Sequence, residues 1–343
     1  MKNFLLIIFL IIFCGYLFIN KKRKNNMIIG FTGDVMIGRL VNQVISEKGY
    51  SYPWGNILQL LHKNDLNIIN LETTLTKSEK KVTKVFNFKS DPDKVQTLIE
   101  GKIDVVNLAN NHILDFNQKG FFETLKILEQ KNIKYVGVGK NIDEARKPII
   151  IKKDKTKIGI IGYTNNEPGW IATKTKPGIN YIEVGNIEKV INDIKDIKTQ
   201  VDLLILSIHW GPNKIERPTK EFINFAHQMI DAGVDIIHGH SAHIFQGIEI
   251  YKNKIIMYST GDFVDDYMVY PDLRNDHSFL FRVKIINSKI KNIELVPVII
   301  NNMQVNLAKE NEAQEILNRM KMLCSEFKTK VEIKNKKGFI TIY

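Results

Sequence analysis

Five apolar runs, each closing on a residue that can hold a metal or carry a proton, constrain this chain more than any other feature. IIGFTGD ends at Asp34 and LNIINLE at Glu72. IDVVNLA runs into Asn110, Asn111 and His112, VDLLILSIHWG turns polar at His209, and VDIIHGHSAH carries His238, His240 and His243. Runs this short and this apolar read as buried strands. Between them lie stretches with helical patterning: Arg39 to Lys48, Trp54 to His62, Gln118 to Gln130, Ile187 to Ile197 and Lys220 to Ala232. Strands alternating with helices predict an α/β sheet covered on its faces. FNFKS adds a short predicted strand, and Asp91-Pro92-Asp93 predicts a helix start with Asp91 as the cap and Pro92 in the first turn.

From Phe245 onward the pattern changes to hairpins, in GIEIYKNKIIMYS and FLFRVKIINSKIKNIELVPVII, followed by a helix over about Glu312 to Phe327 and a last hairpin, VEIKNKKGFITIY. No linker rich in Pro, Gly or Ser divides the chain. Residues 26–343 therefore read as one domain, with a motif core over 27–285 and hairpins plus a helix over 286–343.

Residues 1–25 differ from the rest. FLLIIFLIIFCGYLFI, Phe4 to Ile19, is uncharged and mostly apolar, and NKKRK follows it. No small-x-small cleavage site follows, and Phe13-Cys14 is a poor lipobox. Sixteen residues at about 1.5 Å each approach the hydrocarbon thickness, and flanking lysines can snorkel. An uncleaved single-pass membrane anchor with a basic flank is predicted. The basic cluster after it would keep the domain inside by the positive-inside rule, although long domains translocate largely regardless of nearby charge.

The net charge of +12 comes from lysines scattered singly. No basic stripe is interleaved with aromatics, so a nucleic-acid partner is not expected. A diffuse positive field suits an anionic polymer or an anionic envelope surface. Two cysteines, Cys14 and Cys324, exclude a disulfide scaffold and a thiolate zinc site.

A lone aspartate after a strand usually caps a helix, and a lone histidine usually ends a core element. Neither role calls for carboxylate, amide and imidazole at the ends of five strands. In open α/β sheets ligands collect beyond the carboxyl ends of the strands. Oxygen plus imidazole without thiolate suits Mn, Zn or Fe. Bridging carboxylates with several imidazoles suit one or two divalent ions, a pair standing about 3.5–4 Å apart in hydrolytic sites.

Taken in order, GFTGDVMIGR, NLETTLT, NLANNHILDFNQKG, ILSIHWG and GHSAHIFQGIEIYKNKIIMYSTGDF resemble the CapA-type poly-γ-glutamate capsule biosynthesis family of the calcineurin-like metallophosphoesterase superfamily. The resemblance spans about residues 27–285. It implies a four-layer α/β/β/α sandwich with the metal site on one edge. It also implies Asp34, Glu72, Asn111, His209, His240 and His243 as metal ligands and His112 as the proton donor. Three positions depart from the superfamily pattern. Met36 stands where a histidine ligand is usual, Glu72 where a bridging aspartate is usual, and two residues rather than one separate His240 from His243. Asp262 stands where the family more often has asparagine, and it either joins the site or bonds its loop. Asp115 reads as the cap of the helix that follows and His238 as turned away by strand alternation. His62, His227 and His277 read as surface or core residues.

Two classes of function stay open on the sequence. One is a membrane-anchored, metal-dependent phosphoesterase-like hydrolase in capsule or cell-envelope polymer synthesis, its domain on the outer face, acting on an anionic polymer or phosphoester beside other capsule-synthesis proteins. The alternative is a non-enzymatic metal-binding component that organises a polymer synthesis and export complex.

Overall fold

Strand alternation sorts the apolar side chains into three cores. In the strand Leu203–His209, Leu203 and Ile205 face one way, and Leu204, Leu206 and Ile208 face the other. The first set meets Met27, Ile29 and Phe31 of Asn26–Val35 and Leu66 and Ile68 of Leu66–Leu71. The second set packs beneath the helices Glu188–Lys198 and Lys220–Ala232. On the far side, Ile69, Leu71 and Val106 pack against the helices Arg39–Lys48, Val95–Glu100 and Asn117–Gln130. A side chain that alternates between two dry faces must lie in a sheet covered on both, so the layers run helix, sheet, sheet, helix.

The computed structural model describes residues 26–342 apart from residue 186. The first sheet runs Glu332–Lys334, Lys337–Thr341, Lys289–Asn301, His277–Ile286, Asn26–Val35, Leu66–Leu71, Val105–Asn107, Lys134–Val136. The second runs Ile248–Tyr251, Lys254–Met257, Ile236–His240, Leu203–His209, Thr156–Thr164, Ile149–Lys153. Asn26–Val35, Leu66–Leu71 and Val105–Asn107 are parallel, as are Thr156–Thr164, Leu203–His209 and Ile236–His240. Their carboxyl ends therefore meet on one rim, which is where ligands collect in such sheets. The hairpins expected after Phe245 supply the antiparallel flanks of both sheets. The helix Glu310–Ser325 sends Ile316, Leu317, Met320 and Leu323 into the core between the sheets.

Some local expectations change. Tyr52–Ile57 forms a 3₁₀ segment with Gly55 at φ 43°, so the helix expected from Trp54 starts only at Leu58. Of FNFKS, only Lys89–Ser90 is strand. Asp91 precedes the short helical turn, with Pro92 where expected, but its carboxylate does not cap it. The carboxylate instead accepts a hydrogen bond from Asn42 Nδ2 at 3.0 Å, because a polar partner on the neighbouring helix is within reach. The anchor expected over 1–25 lies outside the described residues. Among the described residues no helix is long and apolar enough to cross a membrane.

Candidate metal centre

The same alternation that fills the core sets the polar residues of the rim. Ser207 and His209 continue the inward-facing series of Leu203 and Ile205, and His238 and His240 continue that of Ile236. Asn70 follows Leu66 and Ile68 to the same face. Asp34 needs one more device. The pairing of the first two strands shifts register between Phe31 and Asp34, and this irregularity brings an even-numbered residue onto the face of odd-numbered Phe31. The short strand Asp262–Val264 then pairs beside it, Asp34 opposite Asp262. Gly33 permits this crossing, since a Cβ there would sit 2.1 Å from the carbonyl oxygen of Gly261.

The resulting cluster is buried. Asn70 Nδ2 donates to Asp34 Oδ1 at 2.8 Å, and the Ser241 backbone N–H donates to Asp34 Oδ2 at 3.2 Å. His209 Nδ1 and His240 Nδ1 stand 3.8 and 3.9 Å from Asp34 Oδ1 and 3.0 Å from each other. His243 Nδ1 is 3.6 Å from Asp34 Oδ2 and 2.8 Å from Asp262 Oδ1. Glu72 Oε1 is 3.9 Å from His209 Nε2 and 3.7 Å from His112 Nε2. The loop that carries His243 is strained: Ser241 has φ 104° and His243 φ 57°, values unfavourable for residues with a Cβ.

The electrostatics of this arrangement call for a cation. Burial pushes the Asp34 carboxyl up to about 6, against the pull of His243. Burial and the nearby Asp34 push Glu72 and Asp262 well above the ordinary carboxylate range. Burial holds His209 and His240 far below the usual imidazole value, so both are neutral and have lone pairs to give. Glu72 Oε1, Asn111 Oδ1 and Asp262 Oδ2 are buried without a hydrogen-bond partner among the described residues. Orphaned buried oxygens are costly, and crowded carboxylates are costlier still. Two groups have ligand atoms within 4.8 Å of one another: Asp34, His209 and His240, and Asp34, Glu72 and His243. Atoms bound to one ion at about 2.0–2.3 Å lie at most roughly 4.6 Å apart, so small side-chain movements close either set. The donor set fits a divalent ion, and Asp34 belongs to both groups.

His112 sits at the edge of this cluster, stacked on Phe88 with ring centroids 3.8 Å apart. Its Nδ1–H donates to Asp115 Oδ2 at 2.6 Å, which leaves Nε2 facing Glu72. Asp115 therefore is not the helix cap expected of it. The helix Asn117–Gln130 begins without a side-chain cap, and Asp115 also accepts from the Phe88 backbone N–H at 2.7 Å and pairs with Lys84 Nζ at 3.2 Å. A buried imidazole is the stronger claim on that carboxylate. Burial lowers the His112 value, and Asp115 opposes the fall.

His238 is also corrected. Alternation does not turn it away but places it on the face of His240, one pleat deeper. There its Nε2 lies 2.8 Å from the Thr32 carbonyl oxygen and its Nδ1 3.1 Å from Ser207 Oγ, so it ties one sheet to the other. Asp262 joins the site through His243 rather than only bonding its loop. His227 pairs with Glu249 and stacks on Tyr251, away from the rim. His62 and His277 likewise stay outside the cluster. Asn70, Ser207, Tyr267 and Lys84 were not expected at the site. Parity could have found the first two, because they share a face with expected ligands. Tyr267, whose hydroxyl donates to Glu72 Oε2 at 3.4 Å, comes from an irregular loop with no such signal.

A family described as "Bacterial capsule synthesis protein PGA_cap" matches residues 28–267, a stretch that holds every one of these residues except His277. The chain belongs to this capsule-synthesis family. A protein named "Probable polyglutamine synthesis accessory protein" from Mycobacterium tuberculosis (strain ATCC 25618 / H37Rv) is 28% identical over 87% of this chain and 91% of its own length. "Capsule biosynthesis protein CapA" of Bacillus anthracis is 31% identical over 72% of this chain and 62% of its own. "PGA biosynthesis protein CapA" of Bacillus subtilis (strain 168) is 31% identical over 69% and 62%. The match thus spans under two thirds of either CapA protein. Among solved structures, a 5'-nucleotidase precursor from Thermus thermophilus aligns with a TM-score of 0.40 and 12% identity, over 89% of this chain and 60% of that one. A likeness that loose carries no weight for the chemistry.

Proposed function

We propose that this capsule-family protein is a divalent-metal-dependent hydrolase of the phosphoesterase type, anchored in the membrane through residues 1–25 and working in capsule or cell-envelope polymer synthesis on its outer face. One observation supports this reading above the others: Asp34 is common to two ligand groups, and an imidazole with its Nδ1–H fixed on Asp115 faces the same cluster. In this reading His209 and His240 with Asp34 hold one ion. Glu72 and His243 with Asp34 hold a second, and the orphaned Asn111 Oδ1 adds an amide oxygen. Mn, Zn and Fe suit such donors. Bound ions supply charge neutralisation at a phosphoryl oxygen and a water of lowered pKa.

The chain's own residues do the rest. Asn70 and the Ser241 backbone N–H fix the rotamer of Asp34, and Asp262 fixes that of His243. Asp115 keeps the His112 ring oriented and favours its charged form, so Nε2 can pass a proton to a leaving oxygen. Phe88 covers one face of that ring and keeps water from it. The test is Mn²⁺- or Zn²⁺-stimulated cleavage of a generic phosphodiester that disappears in Asp34→Ala and His209→Ala. Absence of cleavage across phosphomonoesters, phosphodiesters and γ-glutamyl substrates, with metal loaded, contradicts it. Protease accessibility on intact cells tests the orientation.

Met36 favours the second reading. It is fully buried in the core beneath the helices and accepts from the Gly38 N–H through its sulfur, so the first block contributes no imidazole. A centre short of one ligand suits a non-enzymatic component that organises polymer synthesis and export. Cells carrying Asp34→Ala would then keep making polymer although the protein had lost its metal.

A further inference from the structure

Above the candidate centre opens a cleft of about 670 Å³, with Asn111, His112 and His243 at its floor. Its walls are irregular loops, residues 84–88 on one side and 267–275 on the other. Three cations line it, but two are already committed. Arg39 pairs with Asp266 at 3.2 Å, and Lys84 pairs with both Asp115 and Glu167, at 3.2 and 3.1 Å. Lys214 has no carboxylate within ion-pair distance among the described residues, and its Nζ rests 3.6 Å from the ring centroid of Tyr270. Large apolar side chains of the rim stand exposed: Val85 at 89%, Met268 at 68% and Phe86 at 59% exposure. Apolar side chains clustered at the mouth of a polar site mark something that covers them.

We propose that the cleft takes an amphiphilic phosphoester, a single phosphate carrying a hydrocarbon chain, as on a lipid-linked intermediate of polymer assembly. The phosphate sits at the floor beside Lys214, and the chain lies along Val85, Phe86 and Met268. A long polyanion fits the cleft less well. It would need a row of uncompensated cations, whereas two of the three here are neutralised and the rim offers hydrocarbon. The substrate class rests on the hydrolase reading, but binding can be measured without turnover.

The experiment uses monomeric n-alkyl phosphates from ethyl to octyl and the full-length chain, with affinity and cleavage followed separately. The wild type should tighten by about three- to fourfold per methylene until the rim is covered. Phe86→Ser, and the triple variant Val85→Ser, Phe86→Ser, Met268→Ser, should flatten that dependence. All three positions are exposed, so the fold should survive, and an unchanged melting temperature checks it. Lys214→Gln should weaken every chain length by the same factor and leave the slope alone. Chain-length dependence without any cleavage would leave this inference standing and count against hydrolysis of monoesters alone. It is thus distinguishable from failure of the hydrolase reading, which phosphodiesters and γ-glutamyl substrates also test. Equal affinity across chain lengths, an unaltered slope in the serine variants, or tighter binding of γ-glutamate oligomers than of octyl phosphate would each overturn it.

Discussion

The carboxylate of Asp115 accepts from Phe88 N–H and His112 Nδ1–H and pairs with Lys84, all inside the protein. That geometry turns Nε2 of His112 toward Glu72 and keeps the protons on the ring where a donor needs them. In Asp115→Asn, with the same volume, the ring loses its anionic partner and the preferred tautomer. Turnover of a phosphodiester should fall by about 10²–10⁴-fold while metal content stays unchanged. Equal turnover in the variant would remove His112 from the proton path. Cys324 gives a second test at this scale. Burial pushes its thiol up to about 12, and the sulfur accepts from the Ile248 N–H. Thiolate is the reactive form, so Cys324 in a Cys14→Ser protein should resist a thiol reagent at pH 8 until the fold is opened by denaturant. Rapid labelling of the native protein would show that the core around Ile248 is looser than described.

At the scale of the element, strand parity was readable in advance wherever the strand ran straight. Leu203 to His209 and Ile236 to His240 alternate without interruption, and the positions of His209 and His240 follow from their sequences alone. His238 follows too once the parity is applied strictly. Asp34 does not, because a register irregularity intervenes between Phe31 and Asp34, where the strand Asp262–Val264, over two hundred residues away in sequence, pairs alongside. Asp115 and Asp91 mislead for a related reason. Each precedes a helical segment in sequence, yet partners from another part of the chain, Asn42 for Asp91 and Phe88 and Lys84 for Asp115, engage its carboxylate. Local pattern ranks the local partner first, and tertiary contact decides. Gly33 belongs to the same crossing. Gly33→Ala forces a Cβ against the Gly261 backbone, which has no flexible end to move aside. Overpacking of this kind costs about 1–3 kcal/mol, so the denaturant midpoint should drop, and metal affinity should drop with it as Asp34 shifts. A variant with wild-type stability and metal content would show that the crossing is not tight.

At the scale of the whole molecule, the two sheets carry the proposed ligands on opposite walls. Asp34, Glu72 and Asn111 stand at the ends of the first sheet's strands, and His209, His240 and His243 at the ends of the second's. An ion held between them would therefore also clamp the sheets together, next to the bond that His238 makes to Thr32. Ligands that bind only the folded state raise its stability by mass action, by about 2.7 kcal/mol at a hundredfold excess over Kd. Removing metal with a chelator should lower the melting temperature, and Mn²⁺ or Zn²⁺ should restore it. The most direct test of the shared cluster is metal analysis of the dialysed full-length protein beside Asp34→Ala, with melting temperatures recorded for both. The wild type should retain one or two divalent ions per chain and melt higher with added metal, and Asp34→Ala should retain fewer and lose that response. A wild type that holds no ion and melts at the same temperature with or without metal would contradict the account.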